Sequence, residues 1–205
     1  MTLPKPDFSF EQEASKRGHT VVCGIDEAGR GPWAGPVVAA AVILDPGQIP
    51  DGLNDSKKLT HQKREALFSP ICSTSQFGIG IVDAATIDEI NILQATYLAM
   101  LRALAALKIP PQLALVDGNR APKFSCPAQT IIGGDGKSLS IAAASILAKV
   151  TRDRMMVELD QQFPHYGFAA HKGYGTAVHA AALARFGAIA AHRKSFKPVA
   201  AVLAR

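Results

Sequence analysis

Two adjacent carboxylates, Asp26 and Glu27, follow the apolar run Val21-Val22-Cys23-Gly24-Ile25 and precede Ala28-Gly29-Arg30-Gly31. Oxygen donors of this kind suit a hard divalent cation, and an arginine set between glycines offers both charge and accessible backbone to a polyanion. The combination points to phosphodiester chemistry. Neighbouring residues on a strand face opposite ways, so the two acids meet on one ion only where the strand ends or bends, or through a water. Gly29 and Gly31 supply such a bend. An isolated Asp-Glu pair fits an ordinary acidic turn equally well, so the remaining acids decide.

Two further acids share the setting. Leu113-Ala114-Leu115-Val116 reads as a short strand ending at Asp117 and turned by Gly118-Asn119, and Asp135 sits in a glycine turn after the strand-like Ala128–Ile132. Three strands thus end in acids, and open α/β sheets collect ligands at strand ends. With no His or Cys ligand set, Mg²⁺ or Mn²⁺ is favoured over zinc. Asp153, within Thr151-Arg152-Asp153-Arg154, competes as an acid, but a mid-helix position among cations predicts a salt bridge.

Two nucleotide motifs are imitated and fail. Gly29-Arg30-Gly31-Pro32-Trp33-Ala34 fits G-x-G-x-x-G/A, which requires a helix to start within the glycines. Pro32, Pro36 and the apolar Val37–Leu44 instead predict a second buried strand and a hairpin. Gly136-Lys137-Ser138 ends like a phosphate-binding loop, but the pattern needs glycine at position 131, which is Ile131.

The elements that must position these acids are α/β. Strands are predicted near Thr20–Ile25, Pro36–Leu44, Gln76–Asp83, Leu113–Val116 and Ala128–Ile132, the first three in succession. A helix is predicted from Ile87 to Leu107, opened by the capping-box spacing of Thr86-Ile87-Asp88-Glu89 and closed before Pro110-Pro111. Its stripe of Ile90, Leu93, Tyr97, Met100 and Leu104 reads as core. A second helix runs from Ser138 to about Gln161, where the alanines of Ile141–Ala148 allow close approach to the sheet.

The 205 residues, 48% of them hydrophobic, suit a single domain: an α/β core over about 20–163 and a helical extension over about 164–205. Cys23, Cys72 and Cys126 are too widely spaced for a zinc motif and read as buried thiols in a reducing compartment. The N-terminus lacks a signal-peptide pattern and no run is long enough to span a bilayer, which predicts a soluble cytoplasmic protein. Charge is uneven. Residues 161–205 hold no acid but carry Lys172, Arg185, Arg193, Lys194, Lys197 and Arg205, leaving about −1 of the net +5 for the rest. A basic segment beside an acidic metal site suits nucleic-acid phosphates.

Taken together, Gly24–Gly31, Asn54–Leu59, Val116–Arg120, Gly133–Ser138, Ala143–Arg154 and His171–Thr176, in that order, resemble the bacterial form of ribonuclease HII, the type 2 ribonuclease H family, from about Val21 to Val199. Trp33, where leucine is expected, and Gly136, in place of a small side chain, depart from the pattern. The resemblance implies a ribonuclease H-like fold with a mixed central sheet, flanking helices and a C-terminal helical extension. It also implies that Asp26, Glu27, Asp117 and Asp135 are the catalytic metal acids, with Asp26 shared by two Mg²⁺ or Mn²⁺ ions. Hydrolysis of the RNA strand of RNA–DNA hybrids is implied, as is cutting 5′ of single ribonucleotides in duplex DNA, leaving 5′-phosphate and 3′-hydroxyl ends, in ribonucleotide and primer removal. Backbone groups of Gly29, Arg30 and Gly31, with Tyr174, are implied to read the 2′-hydroxyl, and Lys57, Lys137, Ser138 and Lys172 to contact phosphates. The implied partners are those nucleic acids, bound by a monomer without membrane attachment; the residues do not specify a replication-clamp partner.

Overall fold

A computed structural model describes residues 5–204. In chain order the elements are α1 (Ser9–Lys16), β1 (Val22–Ala28), β2 (Val37–Leu44), α2 (His61–Thr74), β3 (Ser75–Val82), α3 (Ala84–Ala105), β4 (Leu113–Asp117) and β5 (Ala128–Ile131). A 3₁₀ turn (Gly134–Gly136), α4 (Leu139–Gln162), a second 3₁₀ turn (Pro164–Tyr166), α5 (Phe168–His171), α6 (Ala177–Phe186) and α7 (Lys197–Leu203) complete the chain. The sheet order is β3-β2-β1-β4-β5. The β1–β2 and β2–β3 pairs are antiparallel, whereas β1–β4 and β4–β5 are parallel, so the sheet is mixed as expected.

Strand periodicity divides the core into two layers. On β2, Val37, Ala39 and Ala41 join Ala95, Ala99 and Ala103 of α3, while Val38, Ala40 and Val42 join Ala142–Ala144 and Ala148 of α4. Small residues on both helices let their backbones ride close to the sheet. Gly24 marks one such close approach: a Cβ there would lie 2.1 Å from the Ser140 carbonyl carbon of α4.

Several sequence expectations are corrected. β1 does not stop at Ile25 but continues through Asp26 and Glu27, which pair with Ala40 and Ala39 of β2. Paired residues share a face, so Asp26 faces the α4 layer and Glu27 the α3 layer. Asp135 does lie in a turn after β5, as its glycines predict, and that turn is 3₁₀. The first three strands are not successive, because α2 intervenes. The N-cap of α3 is Asp83, which accepts from the Thr86 N–H at 2.8 Å, three residues before the predicted cap. That helix breaks at Asn91 (φ +67°), whose side chain caps the continuing half through Leu93 and Gln94. Gly29–Ala34 leads into a strand, which excludes the dinucleotide motif. No helix among the described residues is long and apolar enough to cross a membrane.

Gly24→Ala is expected to cost roughly 3 kcal/mol or more, since the added methyl meets α4 backbone and not a flexible side chain. Denaturant unfolding measures this, and a cost below about 1 kcal/mol contradicts the close approach.

Candidate metal centre and nucleic-acid interface

Parallel pairing of β1 with β4 brings Asp26 beside Asp117, and the turn after β5 folds Asp135 back towards both. One oxygen from each of the three acids lies within 4.8 Å of the others. Asp26 and Asp135 are buried, and Asp117 is half-buried. Their carboxylates are held by backbone: Asp26 Oδ1 accepts from the Glu27 N–H at 2.8 Å, and Asp117 Oδ1 from the Gly134 N–H at 2.7 Å. Burial, reinforced by Glu27 and Asp117, raises the Asp26 carboxyl well above the ordinary carboxylate range. Burial and Asp117 push Asp135 up to about 6. Lys57 Nζ, on an exposed side chain, approaches Asp135 Oδ2 at 3.8 Å. Crowded hard oxygens without nitrogen or sulfur donors fit Mg²⁺ or Mn²⁺.

Glu27 stands apart from this group of three. Its Oε1 accepts from Arg30 Nη1 at 3.2 Å. Burial raises its carboxyl, against the pull of Arg30.

Asp26 and Glu27 line a cleft of about 300 Å³ whose other walls include Gly29–Gly31, Lys57, Lys149, Arg152 and Tyr174. Two buried guanidinium groups underlie its glycine loop. Arg193 donates to the carbonyls of Gly29, Arg30 (2.9 Å), Gly35 (2.9 Å) and Pro36 (3.2 Å). Arg152 donates to those of Pro36 (2.9 Å) and Ala34 (3.1 Å). Burial lowers both guanidinium pKa values, to about 9 for Arg193 and about 10 for Arg152. In a trans peptide the N–H points opposite to its C=O, so drawing the Gly29 and Arg30 carbonyls onto Arg193 turns the Arg30 and Gly31 N–H groups away from it. Gly29 (φ +96°) has no room for a side chain, since a Cβ would lie 2.1 Å from Arg152 Nε.

Tyr174 stands beside this loop, 47% exposed, and a Cβ on Gly31 would lie 3.6 Å from its ring. A histidine relay fixes its backbone. The Ile189 N–H occupies His192 Nδ1, so the His192 Nε2 proton faces His179 Nε2 at 3.1 Å, and His179 Nδ1–H donates to the Tyr174 carbonyl at 3.0 Å. Trp33 joins the two loops: its backbone N–H donates to the Gly173 carbonyl at 2.8 Å, and its ring fills the space a side chain on Gly175 would need.

The remaining expected contacts are dispersed. Lys137 Nζ donates to the Ile132 carbonyl (2.8 Å) and Lys172 Nζ to that of Ala169 (2.6 Å). Ser138 is fully buried, and its hydroxyl donates to Glu11 at 2.6 Å. Asp153 pairs with Lys149 at 2.6 Å, as its helix position implies. Sequence reasoning missed the structural parts of Arg152, Arg193, His179 and His192. Arg193 belongs by sequence to the basic segment, yet it is buried; nothing in a charge tally separates the two cases.

Arg193→Lys is expected to destabilise the protein by about 1–3 kcal/mol, because an ammonium cannot span the carbonyls that the guanidinium fork serves. Amide exchange should quicken over residues 29–36 before the sheet responds. Unchanged exchange there contradicts the clamp.

Comparison with known proteins bears on the same residues. The family model described as Ribonuclease HII matches residues 23–199. A ribonuclease HII of Agrobacterium fabrum is 56% identical over 195 residues, covering 95% of this chain and 90% of its own. Among solved structures, ribonuclease H2 from Pyrococcus horikoshii OT3 superposes with a TM-score of 0.74 at 29% identity, covering 88% of this chain and 96% of that one. Ribonuclease HII from Archaeoglobus fulgidus, in a structure of its complex with PCNA, gives 0.71 at 27%, covering 86% and 95%. Similarity of this extent, over nearly the full length of both partners, means that the chain belongs to the ribonuclease HII family of metal-dependent endoribonucleases.

Proposed function

We propose that this chain cleaves the RNA strand of RNA–DNA hybrids and cuts on the 5′ side of single ribonucleotides in duplex DNA, leaving 5′-phosphate and 3′-hydroxyl ends. The observation that carries this is the cluster of three acids within 4.8 Å, whose Asp26 shares a cleft with the Gly29–Gly31 loop and Tyr174. Asp26, Asp117 and Asp135 would hold Mg²⁺ or Mn²⁺, with Glu27 as the fourth acid once Arg30 leaves it for substrate. Two ions held there would supply activation of a water and stabilisation of the departing 3′-oxygen in an in-line displacement.

The protein's own contribution is positioning. The Arg30 and Gly31 N–H groups, turned away from Arg193, are oriented to donate to a 2′-hydroxyl, the group that separates RNA from DNA at one nucleotide. The exposed Tyr174 ring packs on the following sugar. Lys57, Lys137 and Lys172 contact phosphates, which orient the duplex without reading its sugars. Ser138 shapes the turn, its hydroxyl being held by Glu11. The segment over about 164–205 acts mainly by fixing the two reading loops and belongs to the same unit as the core.

A labelled DNA duplex containing one ribonucleotide, incubated with and without Mg²⁺, tests the proposal. Cleavage independent of Mg²⁺, or none with it, overturns it. Asp26→Asn is expected to lower the rate by about 10²-fold or more while hybrid binding in Ca²⁺ persists. The same change should stabilise the metal-free protein. A carboxyl raised in the folded state binds protons there that it has lost when unfolded, so its ionisation destabilises the fold as pH rises above the unfolded value of 3.8. Wild-type melting temperature should therefore gain more from Mg²⁺ at about pH 7.5 than at about pH 5, below the Asp135 value of about 6. Equal gains at both, or a less stable Asp26→Asn protein, argue against the crowded centre.

Tyr174→Ala should weaken cleavage at an RNA–DNA junction about 10- to 100-fold, by analogy with base stacking on aromatic rings, and spare cleavage inside a long hybrid. Equal losses on both substrates by a folded variant would mean that the junction is read elsewhere.

A further inference from the structure

Asp135 reaches the metal centre from a turn of three residues, and a turn that short holds a side chain only if both ends are fixed. Its near end is fixed by the Gly134 N–H on Asp117. Its far end runs into Lys137 and Ser138, whose N–H groups return to the Gly134 carbonyl at 2.9 and 2.8 Å.

That far end is gripped by a segment remote in sequence. The Asp7 N–H donates to the Lys137 carbonyl, and the Leu139 N–H donates to the Asp7 carbonyl, both at 3.1 Å. Glu11, on α1, brings a single oxygen onto two donors: the Ser138 hydroxyl at 2.6 Å and the Ser140 N–H at 2.9 Å. The Ser138 oxygen in turn accepts from the Ile141 N–H at 3.2 Å. Glu11 is 3% exposed, Ser138 and Ser140 not at all. The other Glu11 oxygen is buried with no hydrogen-bond partner among the described residues.

A buried carboxyl group with one oxygen unused is a poor anchor for a helix, because desolvation costs more than an apolar side chain would. Phe8, Phe10 and Ala14 already supply apolar contacts to the body of the protein. What Glu11 adds is direction: it fixes the Ser138 rotamer and closes the first turn of α4, where unpaired N–H groups and the helix dipole favour an acceptor. Helix α1 lies before the 23–199 stretch that the family model matches.

We propose that Glu11 is a positioning residue for the metal centre, holding Asp135 in place through Ser138 and the 3₁₀ turn. The inference rests on the assignment of Asp135 as a metal acid. Outer hydrogen-bond partners of ligands commonly change metal affinity 10- to 100-fold, and Glu11, acting through Ser138, belongs at the lower end, about tenfold.

Calorimetric titration of the metal-free protein with Mn²⁺, well below each variant's melting temperature, tests this with wild type, Asp135→Asn, Glu11→Ala and Glu11→Gln. Asp135→Asn should weaken binding most and Glu11→Ala about tenfold; Glu11→Gln, which keeps an acceptor oxygen for both donors, should stay within about twofold of wild type. If Glu11→Ala does not fold, Glu11→Asp replaces it, withdrawing the carboxylate by one methylene. Folded Glu11→Ala with wild-type affinity, beside a weakened Asp135→Asn, would show that Glu11 merely anchors α1. Glu11→Gln as weak as Glu11→Ala overturns the hydrogen-bond account. An unaffected Asp135→Asn overturns the metal assignment and this inference with it.

Discussion

Like charges held together by backbone govern this molecule. Three carboxylates within 4.8 Å repel one another, and burial of Asp26 removes the water that would soften the repulsion. They stay together because each is tied to a rigid element: β1 and β4 by parallel pairing, the 3₁₀ turn by its bond to Asp117. The tightness of α4 against β1 follows from the same requirement, since slack between Gly24 and Ser140 would let the acids drift apart. A cation bound there would relieve the repulsion.

A second electrostatic arrangement sits beneath the first and has the opposite sign. Arg193 and Arg152 are buried, yet their hydrogen bonds go to carbonyl oxygens of residues 29–36 and not to the nearby acids. Spreading each charge over several carbonyls leaves the acids free for an ion. It also gives the loop an inside and an outside, with oxygens facing the guanidinium groups and N–H groups facing away.

The parts legible in sequence were those with a strong local signature. The runs ending near Asp26 and Asp117 announced two central strands, and the glycine loop followed by proline and β-branched residues announced the hairpin. Helix α2 was not legible because Pro70 lies within it and no apolar stripe runs along it; α1 is short and mostly polar. The place of Glu27 is less legible, because β1 runs two residues further than its apolar run suggests and strand alternation directs Glu27 to the face opposite Asp26. Arg193 was invisible for another reason: its partners are backbone atoms more than 150 positions away, and carbonyls leave no trace in composition.

Trp33 and Gly175 form an interlocked pair, the indole occupying the space above a residue with no side chain. The tolerance of each position to substitution therefore depends on the other. In a lineage with leucine at position 33, alanine at 175 would meet a smaller neighbour; with tryptophan in place, the same change strikes a ring that also packs on His179. Substitutions here have an order in which the large residue must shrink before the glycine can grow, so the effects of changing these two positions should not add, although they are 142 residues apart in the chain.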